Sequence, residues 1–281
     1  RLTNALERQH EISGISSDLR VIMKLSRILL ESEWKVTATL VLTRKGYKLI
    51  NVEPGDTTHQ NYSIVLDIGT TTVSGQILDL NSCIVVACPD GQCDGSTLFA
   101  LAEASDYNAQ ISYGEDVITR IVYSQRPGGL KKLQEVVIST INKIIQELLE
   151  MSRIDRSLIS HMVIAGNTTM TQLLLGLDPK YIREAPYVPT ANFIPPVRAV
   201  HLGIHVDDHV HTYIFPMVAS YVGGDIVSGI LGSGVFQRET LTLYMDIGTN
   251  GEIVLGNKDW LASVSCSAGP AFEVAGMKVG M

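Results

Sequence analysis

Asp67-Ile68-Gly69-Thr70-Thr71-Thr72 and Asp246-Ile247-Gly248-Thr249-Asn250-Gly251 are two versions of one short pattern, and each follows an apolar, strand-like run. Glycine lets the chain turn tightly enough for successive backbone N–H groups to converge on an anion. Threonine hydroxyls add donors. A carboxylate at the strand end can hold Mg²⁺ through water, or orient a water that attacks a phosphate. A lone copy reads first as an ordinary hairpin turn. Two copies at two strand ends predict a duplicated fold whose hairpins face one nucleotide. The candidate catalytic residues are therefore Asp67 and Asp246, which would also carry Mg²⁺. The candidate phosphate-binding residues are Gly69, Thr70, Thr71, Thr72, Gly248, Thr249, Asn250 and Gly251. The P-loop signature is missing from the sequence, and Gly-x-Gly-x-x-Gly does not follow the first strand.

Other residues invite chemistry less sharply. Asn167 and Thr168 open a helix after an apolar strand, where an N-cap or a phosphate contact is expected. Asp116 and Arg120 stand one helical turn apart, as a surface ion pair or, on the family likeness given below, in a structural or nucleotide-cleft role. Asp225, after Gly223-Gly224, has the same status. Cys83, Cys88 and Cys93 match neither zinc-site nor common ferredoxin spacing. Cys266 reads as a small buried residue. His201, His205, His209 and His211 read as solvated loop histidines.

The elements that must position these groups alternate. Leu19 to Leu29 is an amphipathic helix with Ser17 as its cap, followed by a hairpin of Val36 to Leu42 with Tyr47 to Val52. Strands are expected at Ser63–Asp67, Val73–Leu80, Ile84–Ala87, His161–Ala165 and Leu241–Asp246. Helices are expected at Leu133–Leu149, Met170–Leu175 and Gly223–Leu231. This is an α/β layer fold preceded by a small α+β domain. The expected division is 1–60, 61–240 and 241–281.

The chain of 281 residues is 45% hydrophobic with a formal net charge of −7, enough for a sizeable core and unsuited to general nucleic-acid binding. No run approaches the roughly eighteen apolar residues of a membrane span. Four cysteines argue for a reducing cytoplasm. The start at Arg1 and the end at Met281 read as those of an internal piece of a longer protein.

The repeated turn resembles the signature of the actin, sugar-kinase and heat-shock chaperone ATPase superfamily. Further blocks narrow the likeness: Trp34 to Leu40, Asn51 to Thr58, Asn108-Ala109-Gln110, Tyr113 to Val117 with Arg120, Ala165 to Met170, and Ser267 to Glu273. In this order the chain resembles the reductive activators of corrinoid proteins. The resemblance implies an actin-like (ribonuclease H-like) ATPase fold with its second half truncated. It adds Gly269 and Glu273 to the nucleotide-binding candidates. It implies ATP or ADP with Mg²⁺ as ligands and a corrinoid protein and a second copy of the chain as partners. It implies an uphill electron transfer onto Co(II) corrinoid, driven by ATP hydrolysis. No ferredoxin-type cysteine cluster occurs, so an iron–sulfur cluster is expected only in a domain outside this chain. This piece alone is expected to hydrolyse ATP poorly. A small-molecule kinase of the same superfamily and a non-catalytic docking module are the competing readings.

Overall fold

The computed structural model describes residues 1–43, 45–81 and 100–267. The Cys83, Cys88, Cys93 spacing, the strand expected at Ile84–Ala87, and Gly269 and Glu273 lie outside the described residues.

The chain opens with helix α1 (Leu2–His10), a two-residue strand β1 (Ser16–Ser17) and helix α2 (Leu19–Glu31). Strands β2 (Val36–Thr43) and β3 (Gly46–Pro54) form the expected hairpin, and β1 adds in parallel to β3. Val21 and Ile28 of α2 pack on Leu49 and Val52 of β3. Asp18, not Ser17, occupies the cap position of α2, and it makes no cap hydrogen bond. Its carboxylate is engaged instead by Lys48 and by Arg198 of the next layer. Burial would raise the Asp18 pKa, but these two cations outweigh it and hold the group low.

A six-stranded sheet follows, ordered β6-β5-β4-β7-β9-β8. It is built from β4 (Tyr62–Ile68), β5 (Thr72–Asp79), β6 (Ala100–Tyr107), β7 (Ile159–Gly166), β8 (Val197–Arg198) and β9 (His211–Ile214). Strands β4, β7 and β9 are parallel, while β5 pairs antiparallel with both β4 and β6. Between them lie α3 (Val117–Ser124), α4 (Gly129–Ser152), α5 (Thr168–Leu175) and the short α6 (Lys180–Arg183). Leu133, Val137, Ile141, Ile144, Ile145 and Leu148 of α4 are buried against Ile64, Leu66, Ile68, Val73 and Ile77. Each contributes on the order of 2 kcal/mol of transfer free energy. Period two along β4 therefore aims Ile64, Leu66 and Ile68 at α4 and leaves Val65 and Asp67 on the opposite face.

Helix α7 (Gly224–Ser233) lies over that opposite face, along β7. A third sheet, β10 (Thr242–Ile247), β11 (Asn250–Gly256) and β12 (Leu261–Ser267), is an antiparallel meander. Val222 and Ile226 pack against Val254 to join it to α7. Among the described residues no helix is long and apolar enough to cross a membrane.

Candidate active site

The register Asp67↔Ser74 and Ile68↔Val73 leaves Gly69 to Thr72 to close the first hairpin, and the Gly69 N–H donates to the Thr72 carbonyl at 2.9 Å. Gly69 is not in the left-handed region, so a positive φ is not what the turn asks of it. What requires glycine is proximity: a Cβ there would stand 2.7 Å from the Thr72 carbonyl oxygen. The second hairpin repeats the design. Asp246 pairs with Glu252, Ile247 pairs with Gly251, and the Gly248 N–H donates to Asn250 O at 2.9 Å.

The two turns meet. Thr71 Oγ1 lies 3.1 Å from Thr249 Oγ1, across 178 residues of chain. Asp67 and Asp246 occupy the same place in their hairpins, two residues before each glycine. Asp67 also lines a cavity of about 680 Å³ on the open sheet face, with Ser74, Gln76, Glu103 and Ser228. That volume falls within the range of small-molecule sites.

The acidic groups here repel one another. Burial first, then the Asp246 charge, push Asp67 up to about 6. Asp67 keeps exposed surface toward the cavity, but the surrounding protein displaces most of its hydration. Asp225 rises to about 7, first from burial and then from Asp67, Glu252 and Asp246, against a hydrogen bond from the Ile226 N–H. Burial also raises Asp246, and burial with Asp246 raises Glu252. Asp225 thus shares an electrostatic field with Asp67 and Asp246. Glu252 and Tyr244 share that field and were not read from the sequence. Among the described residues no three His, Cys, Asp or Glu side chains form a protein-only metal site. Mg²⁺ in nucleotide sites needs only one or two carboxylates, with phosphate and water completing its shell. The donor set fits that mode: uncompensated carboxylates beside threonine-rich turns.

The remaining candidates separate. Asn167 caps α5 through Oδ1, which accepts from the Met170 N–H at 2.9 Å, while its Nδ2 donates to Thr70 Oγ1 at 3.0 Å. Thr168 has no exposed surface, and its hydroxyl donates to Ala219 O at 2.7 Å. Asp116 forms a capping box with Thr119 at the start of α3. Arg120 is fully buried and donates from Nε to Gly114 O, so the two are structural, as one alternative held, rather than a surface ion pair. Cys266 is exposed rather than buried, on a strand whose residues 261–264 are exposed on both faces. His209 and His211 are buried rather than solvated: His209 Nε2 is 3.0 Å from Ile159 O, and His211 pairs with His161 between β9 and β7. They sit at the opposite end of β7 from Gly166, away from the turns.

Missed from the sequence was Asn108, which follows β6 and contacts the first turn directly. The run Ala100 to Tyr107 carries no β-branched residue, so it gave no strand signal.

Three family models match consecutive parts of the chain. These are the RACo linker region over residues 1–59, the RACo middle region over 62–238, and the C-terminal (ASKHA) domain of RACo over 240–281. The chain is 31% identical over 239 residues to the corrinoid activation enzyme RamQ of Eubacterium limosum, covering 84% of this chain and 37% of that protein. It is 24% identical over 237 residues to a [Co(II) methylated amine-specific corrinoid protein] reductase of Methanosarcina barkeri, covering 78% of this chain and 38% of that protein. A solved reductive activator for corrinoid, iron-sulfur protein superposes with a TM-score of 0.87 at 42% identity, over 100% of this chain and 42% of that one. The chain thus spans less than half the length of each of these relatives.

Proposed function

The chain belongs to the RACo family of reductive activators of corrinoid proteins, and on that premise we propose that it forms part of an ATPase that drives corrinoid reduction. One observation carries the ATPase half of this reading: the two Asp-Ile-Gly-Thr turns, far apart in sequence, touch through Thr71 and Thr249 above a shared cluster of carboxylates. Backbone N–H groups of the turns and the threonine hydroxyls would hold the phosphates. Asp67 and Asp246 would hold Mg²⁺ or orient the attacking water. Bound Mg²⁺ would neutralise charge developing on the transferred phosphoryl group. An Asp67 carboxyl near 6 is mostly ionised at neutral pH, as either role requires.

The corrinoid half rests on the relatives' own names. In the proposed reaction one electron leaves a reduced iron–sulfur cluster, carried outside this chain, and converts Co(II) corrinoid to Co(I). ATP hydrolysis supplies the driving force. Residues 1–60 would serve as a linking unit, 61–240 as the first ATPase half and 241–281 as the start of the second, in the cytoplasm. A titration of the full-length protein with Mg·ADP tests the nucleotide site. A Co(II)-to-Co(I) assay, followed by corrinoid absorbance with and without ATP, tests the coupling. Nucleotide binding without ATP-dependent corrinoid reduction would move the assignment to a phosphotransferase. Loss of both would leave a docking module.

A further inference from the structure

We infer that Asn108 is a positioning residue for the first phosphate turn, held in one orientation by Gln110 and the buried Arg120. The inference rests on the nucleotide reading above.

Asn108 has no exposed surface and grips the turn twice. Its backbone N–H donates to Thr71 O at 2.8 Å, and its Nδ2 donates to Gly69 O at 2.9 Å. In a planar trans peptide the carbonyl and the following N–H point in opposite directions. Fixing the Gly69 and Thr71 carbonyls toward Asn108 therefore directs the Thr70 and Thr72 N–H groups away from it. Those are the groups a phosphate-binding turn must aim.

The orientation of the Asn108 amide is fixed in turn. Its Oδ1 accepts from the Gln110 N–H at 3.1 Å, which leaves Nδ2 facing Gly69. Gln110, also fully buried, donates from Nε2 to Leu133 O at 2.9 Å, and its Oε1 takes Arg120 Nη1 at 3.3 Å. Arg120 Nε donates to Gly114 O at 2.8 Å. Met170 Sδ accepts from Arg120 Nη1 at 3.1 Å, and Met170 belongs to the turn that Asn167 caps. Asn108 and Asn167 thus approach the turn from two neighbouring elements, and Asn167 Nδ2 reaches Thr70 Oγ1.

A core packed for stability alone does not explain the guanidinium. Among the described residues Arg120 makes no close carboxylate ion pair, feeling only the more distant charge of Asp116, and its Nη2 has no hydrogen-bond partner. Burial outweighs the attraction of Asp116 and lowers the Arg120 pKa to about 10, so the buried cation is costly, and an apolar side chain would fill the space with less penalty. What an arginine supplies that an apolar residue cannot is a set of fixed donors, and here they orient the amide chain that ends at Gly69.

The test uses the full-length protein with Asn108→Ser and Asn108→Asp. Both replacements keep an acceptor for the Gln110 N–H, so the local cap survives, while the donor to Gly69 O is lost. Binding of a non-hydrolysable Mg·ATP analogue and of adenosine is measured by calorimetry, with circular dichroism melts on the same preparations. The expected result is an analogue affinity lowered by about tenfold in Asn108→Ser and by at least as much in Asn108→Asp, whose buried carboxylate also lowers the melting temperature, with adenosine affinity near wild type in both. Unchanged analogue affinity in folded variants, with wild type binding normally, overturns this inference and leaves the nucleotide reading standing. Equal losses for adenosine and analogue also overturn it, because the effect is then not at the phosphates. Unfolding of both variants assigns Asn108 to the core and overturns it too. A wild-type protein that binds neither ligand removes the nucleotide reading and this inference with it.

Discussion

Thr71 Oγ1 and Thr249 Oγ1 lie 3.1 Å apart, so the tips of the two turns are in direct contact. A phosphate held by both turns must displace this hydrogen bond or part the tips. A Thr71→Cys, Thr249→Cys pair, with the four native cysteines replaced, is therefore expected to form a disulfide on mild oxidation. Saturating Mg·ATP should slow that reaction. Mass mapping of the cross-linked peptide over time measures it, and a rate indifferent to ATP would count against a ligand between the turns.

Asp67 holds a carboxylate at the end of β4, facing the cavity and Asp246. Asp67→Asn keeps the shape and removes the charge. ATP turnover of the full-length protein should fall by on the order of a hundredfold or more. The fold should persist, because the side chain supports no core contact and the substitution relieves repulsion with Asp246. Turnover and circular dichroism on one sample decide between this and a turn-capping Asp, for which activity would hardly change.

The pH dependence follows from the same crowding. Asp67 and Asp225 keep their protons to about 6 and about 7 in the folded chain, against 3.8 for a free Asp. Between the free and folded values the native state binds more protons than the unfolded state, so these two groups lower stability as pH rises through that window. Asp225→Asn should therefore gain in melting temperature over wild type between pH 5 and pH 8. Mg²⁺ favours the ionised carboxylates, so its stabilisation of wild type should grow over the same range. A gap between variant and wild type that stays constant with pH would show that Asp225 carries no such strain.

Gly223 precedes α7 where that helix abuts the β7–α5 junction. A Cβ at Gly223 would stand 2.5 Å from Asn167 Cα and 2.6 Å from both Gly166 O and Thr168 N. These are backbone atoms that cannot swing aside. Gly223→Ala is expected to cost about 1–3 kcal/mol in chemical denaturation. By displacing Asn167 it should also loosen its hold on Thr70 and weaken nucleotide binding. Gly232→Ala, where a Cβ meets nothing within 4 Å, serves as the control.

Local chemistry made much of this protein readable in one dimension. The run Ile64-Val65-Leu66 before Asp67, and its counterpart before Asp246, determined two strand-turn-strand units, because apolar strands and Gly-Thr turns are specified by neighbours in sequence. The long period of α4 likewise marked its buried stripe, from Leu133 to Leu148. Partnership was beyond its reach. Sequence spacing suggested that Asp116 and Arg120 belong together, yet one caps a helix and the other is buried beside Gln110. The histidines near His209 read as loop residues, yet pairing of β9 with β7 buried two of them. Asn108 was legible only as part of the block Asn108-Ala109-Gln110 that carries the family likeness; its role was not, since that depends on β6 returning beside β5 and delivering an amide to Gly69. Turns, caps and amphipathic faces are set within a few residues, so the sequence alone determined them. The meeting of Thr71 with Thr249, the shared field of Asp67, Asp225 and Asp246, and the grip of Asn108 arise from contacts across tens to hundreds of residues. Only the packing of the layers could decide those.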